Sequence, residues 1–239
     1  MTDDPIEQAR QRTWYHVLEL PGYTTTGIFD MRRYVPLYGI PDDLTGKRCL
    51  DIGTWDGHWA FELESRGAAE VVALDLDDER DLDWPARRRP TSFPDEARGE
   101  GFRLASRLLD SKVQRVVKSI YFTDPAELGQ FDVVMCGSVL LHLRDQMLAL
   151  ERIASLTKPG GLFITAEEYE PLTDLVPYPH ARYRADRDKA VVFWVPNRRA
   201  WRRMLWQSGF DDVREVKRFT MVSDLHGYKV RHVIHHALR

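Results

Sequence analysis

The stretch Leu50-Asp51-Ile52-Gly53-Thr54-Trp55-Asp56-Gly57, "LDIGTWDG", decides the fold. An apolar run that stops at a glycine reads as a buried parallel strand delivering the chain into a tight turn. A helix follows from about Asp56, with Trp59 and Leu63 one turn apart and Gly67 as its stop. The glycines fall as Gly53-x-x-x-Gly57. A dinucleotide fingerprint needs G-x-G-x-x-G, and here Trp55 and His58 take the second and third glycine positions.

Outward from this turn, strand-like and helix-like segments alternate. "EVVALDL" is a second strand, "GEGFRLASRLL" a helix, "KVQRVVKS" a third strand and "FDVVMCG" a fourth. Asp145 caps a helix running to about Leu156, and Lys158-Pro159-Gly160-Gly161 turns the chain into a fifth strand, "LFITAEE". Asn197 caps a last helix whose Ala200, Trp201, Met204 and Leu205 share a face, and Gly209 ends it. Two runs, "DDVREVKRFTMV" and "YKVRHVIHHAL", close the chain and suit an antiparallel pair. The pattern predicts an α/β fold: a Rossmann-like, doubly wound, mostly parallel sheet of seven strands with an antiparallel last strand. Ligands of such sheets bind beyond the carboxyl ends of the strands, where strand order reverses. Residues 1–45 read as an N-terminal cap or lid and residues 46–239 as the main domain. Insertions at about 77–100 and 169–191 lie near the ligand end.

Bulk properties narrow the class. The net charge of −3 gives no general pull toward nucleic acid, and seven lysines stand against 27 arginines. Cys49 and Cys136 each sit in a strand-like run, as buried thiols of a reducing cytoplasm do. "MTDDPIEQAR" lacks the apolar core of a secretory signal. No apolar stretch approaches the roughly 20 residues of a membrane span. No group of residues has metal-ligand spacing.

The loop argues against NAD and FAD, since the central glycine is missing and Asp56 puts a negative charge where a pyrophosphate would lie. S-adenosylmethionine, with no phosphate, an ammonium and a sulfonium cation, suits it better. Asp75 ends the second strand, 22 residues past Gly53, where a carboxylate accepts hydrogen bonds from both ribose hydroxyls. Gly53 and Gly57 allow close backbone approach, and Asp51 can orient the methionine ammonium or the loop. Trp55 is compatible with the turn if its φ stays negative and its indole points away from the cofactor. That indole then packs under the cap, walls the acceptor pocket or packs into the neighbouring helix.

In order, "LDIGTWDG", "VVALDLD", "FDVVMCGSVLLHL", "KPGGLFITAEEY", "RYRADRDKAVVFWVPN" and "MLWQSGFDDV" resemble the class I S-adenosylmethionine-dependent methyltransferases. Within that class the chain is similar to the family around the tRNA wobble-uridine carboxymethyltransferase, from about Lys47 to Phe219. The resemblance implies that Gly53, Thr54, Trp55 and Gly57 form the cofactor loop and that Asp75, with Leu76 beside it, marks the ribose. It places Ile120 and Tyr121 along the adenine, and Cys136, Gly137 and Ser138 beneath the reactive sulfur. His142 and Tyr183 match further family positions. That family uses a carboxylated cofactor held partly by basic side chains; no basic partner is matched here, so ordinary methyl transfer is expected.

Methyl transfer to a hydroxyl or ammonium needs a base, and His142, just beyond the fourth strand, has the chemistry. It can equally cap the next helix or fill the core. His16 and Trp14 close over the cofactor in a lid reading, with the Thr24–Gly27 stretch as hinge. A helix packed on the sheet is the other reading. Glu167, Glu168 and Tyr169 follow the fifth strand and can face the acceptor, as can Trp14 and Tyr183. His232 sits on the final strand. Arg198, Arg199, Arg202 and Arg203, with Arg87 to Arg89, can track an RNA backbone or form a solvated face. A small-molecule acceptor is the leading expectation. A tRNA acceptor is disfavoured, and a non-catalytic cofactor-binding protein is the third alternative.

Overall fold

The computed structural model describes residues 4–185 and 191–239. The charged middle of "RYRADRDKAVVFWVPN", and with it part of the 169–191 insertion, lies outside the described residues, as do the first three residues of the cap. Seven strands form one sheet: β1 Arg48–Ile52, β2 Glu70–Asp75, β3 Gln114–Val117, β4 Phe131–Gly137, β5 Thr157–Glu168, β6 Asp212–Val222 and β7 Lys229–Leu238. Their order is β6-β7-β5-β4-β1-β2-β3. The five strands from β5 to β3 run parallel, and β7 is antiparallel to both β5 and β6. Strand order reverses between β1 and β4, so the crevice beyond Ile52 and Gly137 is the ligand end of the sheet.

Among the described residues, six helices flank or cap the sheet: α1 Pro5–Gln11, α2 His58–Ser65, α3 Glu100–Leu108, α4 Pro125–Leu128, α5 Gln146–Leu156 and α6 Arg198–Gln207. β1 is covered on both faces, so Cys49 to Ile52 are all buried. One core joins Trp59, Ala60 and Leu63 of α2 to Cys49, Ala73, Met135 and Ile164. The other joins Leu150 and Ile153 of α5 and Trp201 and Leu205 of α6 to Leu50, Val134 and Phe163. Both expected caps form. Asp145 accepts the Leu148 N–H at 3.0 Å, and Asn197 accepts that of Ala200 at 2.8 Å. No helix among the described residues is long and apolar enough to cross a membrane.

Two expectations change. Lys158-Pro159-Gly160-Gly161 is a bulge inside β5 and not a turn before it. Phe131 pairs with Thr157 and Val133 with Leu162, so the chain loops out while the strands stay in step. The "WYHVLELPGYTTTG" stretch is not a helix but a set of short paired strands. Its strand Trp14–His16 pairs in parallel with Gly27–Phe29, and Glu19–Leu20 forms a small hairpin with Tyr23–Thr24. The Thr25 hydroxyl accepts the Leu18 N–H and donates to the His16 carbonyl. Trp14 is fully buried against Ala9, Leu20, Leu104 and Ala105, and its indole N–H donates to the Ala9 carbonyl at 2.8 Å. It is a core residue of the cap and does not reach an acceptor.

Gly27 is required by close approach. A Cβ there would lie 2.2 Å from the His16 carbonyl carbon. Gly27→Ala is therefore expected to cost about 1–3 kcal/mol, the usual scale of overpacking, read as a fall in thermal midpoint. An unchanged midpoint would show that the cap is not seated as described.

Candidate active site

The turn after β1 is built by left-handed backbone. Gly53 has φ +74°, and a Cβ on it would stand 2.4 Å from a Val139 methyl carbon. Trp55 has φ +47°, against the negative value expected of so bulky a residue. The reason lies in Asp75. Its Oδ2 accepts the Trp55 N–H at 2.7 Å while its Oδ1 accepts the Leu76 N–H at 2.7 Å. Holding a non-glycine residue in this region costs on the order of 1–2 kcal/mol. The charge-assisted hydrogen bond offsets a cost of that size. Tyr15 of the cap stacks on the indole at 4.6 Å between centroids, and the Arg98 guanidinium lies over it at 3.9 Å. Trp55 thus packs beneath the cap.

Two more carboxylates line the loop, with opposite fates. Asp56 is buried, and its Oδ2 accepts the backbone N–H groups of Tyr15 at 2.6 Å and His16 at 3.1 Å. It fastens the cap to the loop, and burial lifts its carboxyl to about 6 despite those bonds. Asp51 is buried with neither oxygen hydrogen-bonded among the described residues, and the Thr54 hydroxyl is equally without a partner. Burial pushes Asp51 up to about 7; the Thr54 hydroxyl and the Ala60 amide, both short of bonding geometry, pull it only part of the way back. A buried carboxylate and hydroxyl left without partners are what a bound ammonium group needs.

Across the crevice, the loop after β4 is held by Glu167. That residue is fully buried, and its carboxylate accepts the N–H groups of Val139 and Leu140, both at 3.1 Å. Burial raises it to about 8. Glu167 therefore shapes this loop and does not face an acceptor. Cys136 is also fully buried, so only its backbone borders the crevice. Ser138 has φ +57°, and its Oγ lies 2.8 Å from His232 Nε2. His232 Nδ1 lies 3.2 Å from the Val230 carbonyl, which can only accept, so Nε2 carries the lone pair and Ser138 donates to it. His142 follows the same logic: its Nδ1 donates to the Val191 carbonyl, leaving Nε2 as the basic nitrogen. Burial lowers its pKa, and that hydrogen bond works the other way.

Beyond β3, the 77–100 insertion is tied to the residues that follow the strand. Ile120 is buried, and the Tyr121 hydroxyl donates to Asp83 at 2.6 Å while accepting the Asp145 N–H at 3.0 Å. The remaining expected acceptor residues are not gathered at the crevice. Tyr169 packs against the core around α5 and α6, with Arg198 5.9 Å from its ring, and Tyr183 is half exposed on the Ala181–Tyr183 hairpin beside Trp194. His16 is buried with its Nδ1 unpartnered, its ring 5.4 Å from that of His58.

Sequence reading missed an aromatic chain. Ring contacts run from Trp55 through Tyr15, His16, His58, Trp59, Tyr38 and Phe219 to His232. A Cβ on Gly137 would lie 3.3 Å from the Trp59 indole nitrogen and 3.9 Å from the Tyr38 hydroxyl, so this chain borders the end of β4. Only the aromatic richness of the segments hinted at it, because its members come from the cap, the turn after β1, α2 and the last two strands.

The sequence model of a methyltransferase domain matches residues 30–215. The chain belongs to that family. It is a class I methyltransferase whose cofactor is S-adenosylmethionine. A tRNA U34 carboxymethyltransferase of Ectopseudomonas mendocina (strain ymp) is 30% identical over 177 residues, 73% of this chain and 48% of that protein. A ubiquinone biosynthesis O-methyltransferase of Marinobacter nauticus is 30% identical over 141 residues, 59% of this chain and 52% of that protein. The chain spans about half the length of the curated relatives it matches. Among solved structures, the N-terminal domain of EvdMO1 with SAH bound superposes with a TM-score of 0.63 at 14% identity, covering 98% of this chain and 97% of that one. With tRNA-modifying enzymes among the relatives, a nucleic-acid acceptor is not disfavoured.

Asp51 carries a prediction. An unfolded Asp titrates near 3.9, and the folded one near 7. The stability this group contributes is present below about pH 4 and lost as pH rises toward 7. In the cofactor-free protein, the thermal midpoint of Asp51→Asn should gain on that of the wild type between pH 4 and 7 and level off above. A constant difference would mean Asp51 ionises normally.

Proposed function

We propose that the methyltransferase acts on a small-molecule acceptor of specialised metabolism in the cytoplasm, transferring the methyl group to oxygen or nitrogen by in-line displacement. What supports this reading is the aromatic chain that runs from Trp55 beneath the cap past the end of β4 to His232, since aromatic side chains of this kind line small-molecule sites. Three of the arginines that would track a nucleic-acid backbone are held by partners within the chain. Arg198 is paired with Asp174 and Glu215, Arg199 donates to the Asp174 and Val176 carbonyls, and Arg88 donates to that of Ala185. Modification of tRNA remains the second reading, favoured by the names of the relatives.

The bound cofactor supplies an electrophilic methyl group. Asp51 and Thr54 would receive its ammonium, and Asp75 its ribose hydroxyls through the lone pairs not already taken by backbone. Residues 1–45 act as a fixed cap that keeps water from the crevice, and residues 46–239 carry the cofactor. His142 Nε2 removes the acceptor proton as the new bond forms.

Calorimetric titration with S-adenosylmethionine and S-adenosylhomocysteine should show micromolar binding, weakened in Asp75→Ala by roughly 1–3 kcal/mol. Unchanged affinity in a folded Asp75→Ala would remove the ribose from that position. With an acceptor found by screening metabolites and tRNA together, His142→Gln should slow turnover about 10²–10⁴-fold at unchanged S-adenosylhomocysteine affinity. Turnover of tRNA alone would replace the small-molecule reading.

A further inference from the structure

The crevice is rich in carboxylates and short of cations. Asp51, Asp56 and Asp75 all stand on or beside the Gly53–Gly57 turn. They suit the ammonium, the sulfonium and the ribose of S-adenosylmethionine. They repel its one anionic group, the α-carboxylate, so that group needs a cation of its own.

Three arginines approach the loop from its outer side, and two are engaged. Arg12 pairs with Glu96 at 2.6 Å and Arg115 with Asp77 at 2.7 Å. Arg98 differs. Its side chain is only 12% exposed, its Nε is buried without a hydrogen-bond partner among the described residues, and its ion pair with Glu79 is long, at 3.9 Å. Its guanidinium rests on the Trp55 indole at 3.9 Å, and its charge bears on Asp56, Tyr15 and His142.

This placement is built into the backbone. The Arg98 N–H donates to the Asp77 carbonyl at 2.9 Å. The following residue comes close to the Asp77–Arg115 pair: a Cβ on Gly99 would lie 2.4 Å from an Asp77 carboxylate oxygen and 2.5 Å from the Arg115 Nε. The chain is thus pinned to the end of β2 where Arg98 leaves it. The indole then supports the guanidinium plane and leaves its N–H edge to meet a carboxylate.

We infer that Arg98 is a cofactor-binding residue that holds the α-carboxylate of S-adenosylmethionine, with Trp55 as the platform beneath its guanidinium. The inference rests on the cofactor placement proposed above. It also gives Trp55 a use that a glycine at position 55 would not serve.

The test compares two probes that differ in the amino-acid end: S-adenosylhomocysteine, which has the carboxylate, and 5′-methylthioadenosine, which lacks it. Calorimetry is run on the full chain as wild type, Arg98→Met and Arg98→Lys, with thermal midpoints to confirm folding. The expected result is that Arg98→Met weakens S-adenosylhomocysteine roughly 10- to 100-fold, the scale of a lost charge-assisted pair, and leaves 5′-methylthioadenosine within about twofold. Arg98→Lys, which keeps the charge without the planar fork, should recover part of the loss. Equal weakening of both probes would overturn the inference, since Arg98 would then only brace the loop. No weakening of either would overturn it too. If the wild type binds 5′-methylthioadenosine as tightly as S-adenosylhomocysteine, no residue reads the carboxylate and the inference fails while the adenosine site stands. A wild type that binds neither removes the cofactor placement as well.

Discussion

The hydrogen bond from the Trp55 N–H to Asp75 sets the rest of the crevice. It ties the turn after β1 to the end of β2 at 2.7 Å, across the point where a cofactor ribose lies in sheets of this kind. It also holds Trp55 at φ +47°, and that backbone aims the indole at Tyr15 and Arg98. Without it the cap would lose its stacking partner and the 77–100 insertion its contact with the loop. One carboxylate is thus the joint between three segments distant in sequence.

The same device recurs around the crevice. Asp56 receives two amides of the cap, and Glu167 receives amides of the loop after β4. Each takes irregular backbone that cannot join a sheet or helix ladder and gives its N–H groups an acceptor, as buried backbone requires. The cost shows in the raised pKa of both groups, since burial disfavours the charged form more than two or three amides can restore. Asp51 is the exception. It is as buried as the others, yet among the described residues no amide comes within bonding geometry of it, which leaves it open to a ligand. Two structural carboxylates and one unpartnered one in the same crevice separate architecture from ligand site.

The sheet was legible because periodicity and glycine stops report burial, and all seven strands occur where apolar runs stand. The caps at Asp145 and Asn197 were legible because they depend on one side chain and the amide three residues on. The bulge at Lys158–Gly161 was not, since proline and glycine signal a change of direction without saying whether strand pairing resumes. Trp14 and Glu167 were misplaced for a related reason. Lying in a segment near the crevice says nothing about which way a side chain points, and Trp14 points into the cap core while Glu167 points beneath the next loop. His58, Phe219 and Arg98 join the site only through tertiary packing, so no spacing in the sequence could have gathered them.

Backbone strain distinguishes the crevice from the rest of the chain. Among the described residues, three that are not glycine have positive φ: Trp55, Ser138 and Asp110. Asp110 follows α3, where an Asp readily takes the left-handed form after a helix. Trp55 and Ser138 have no such excuse, and they stand on the two loops that face each other at the switch point. At both positions glycine would relieve the backbone, so the side chain must return more than the strain costs. Trp55 does so through the Tyr15 and Arg98 stack, and Ser138 through its hydrogen bond to His232. In place of the backbone freedom a glycine would give, the turn carries a rigid aromatic surface that joins the cap and the 77–100 insertion to the end of β1.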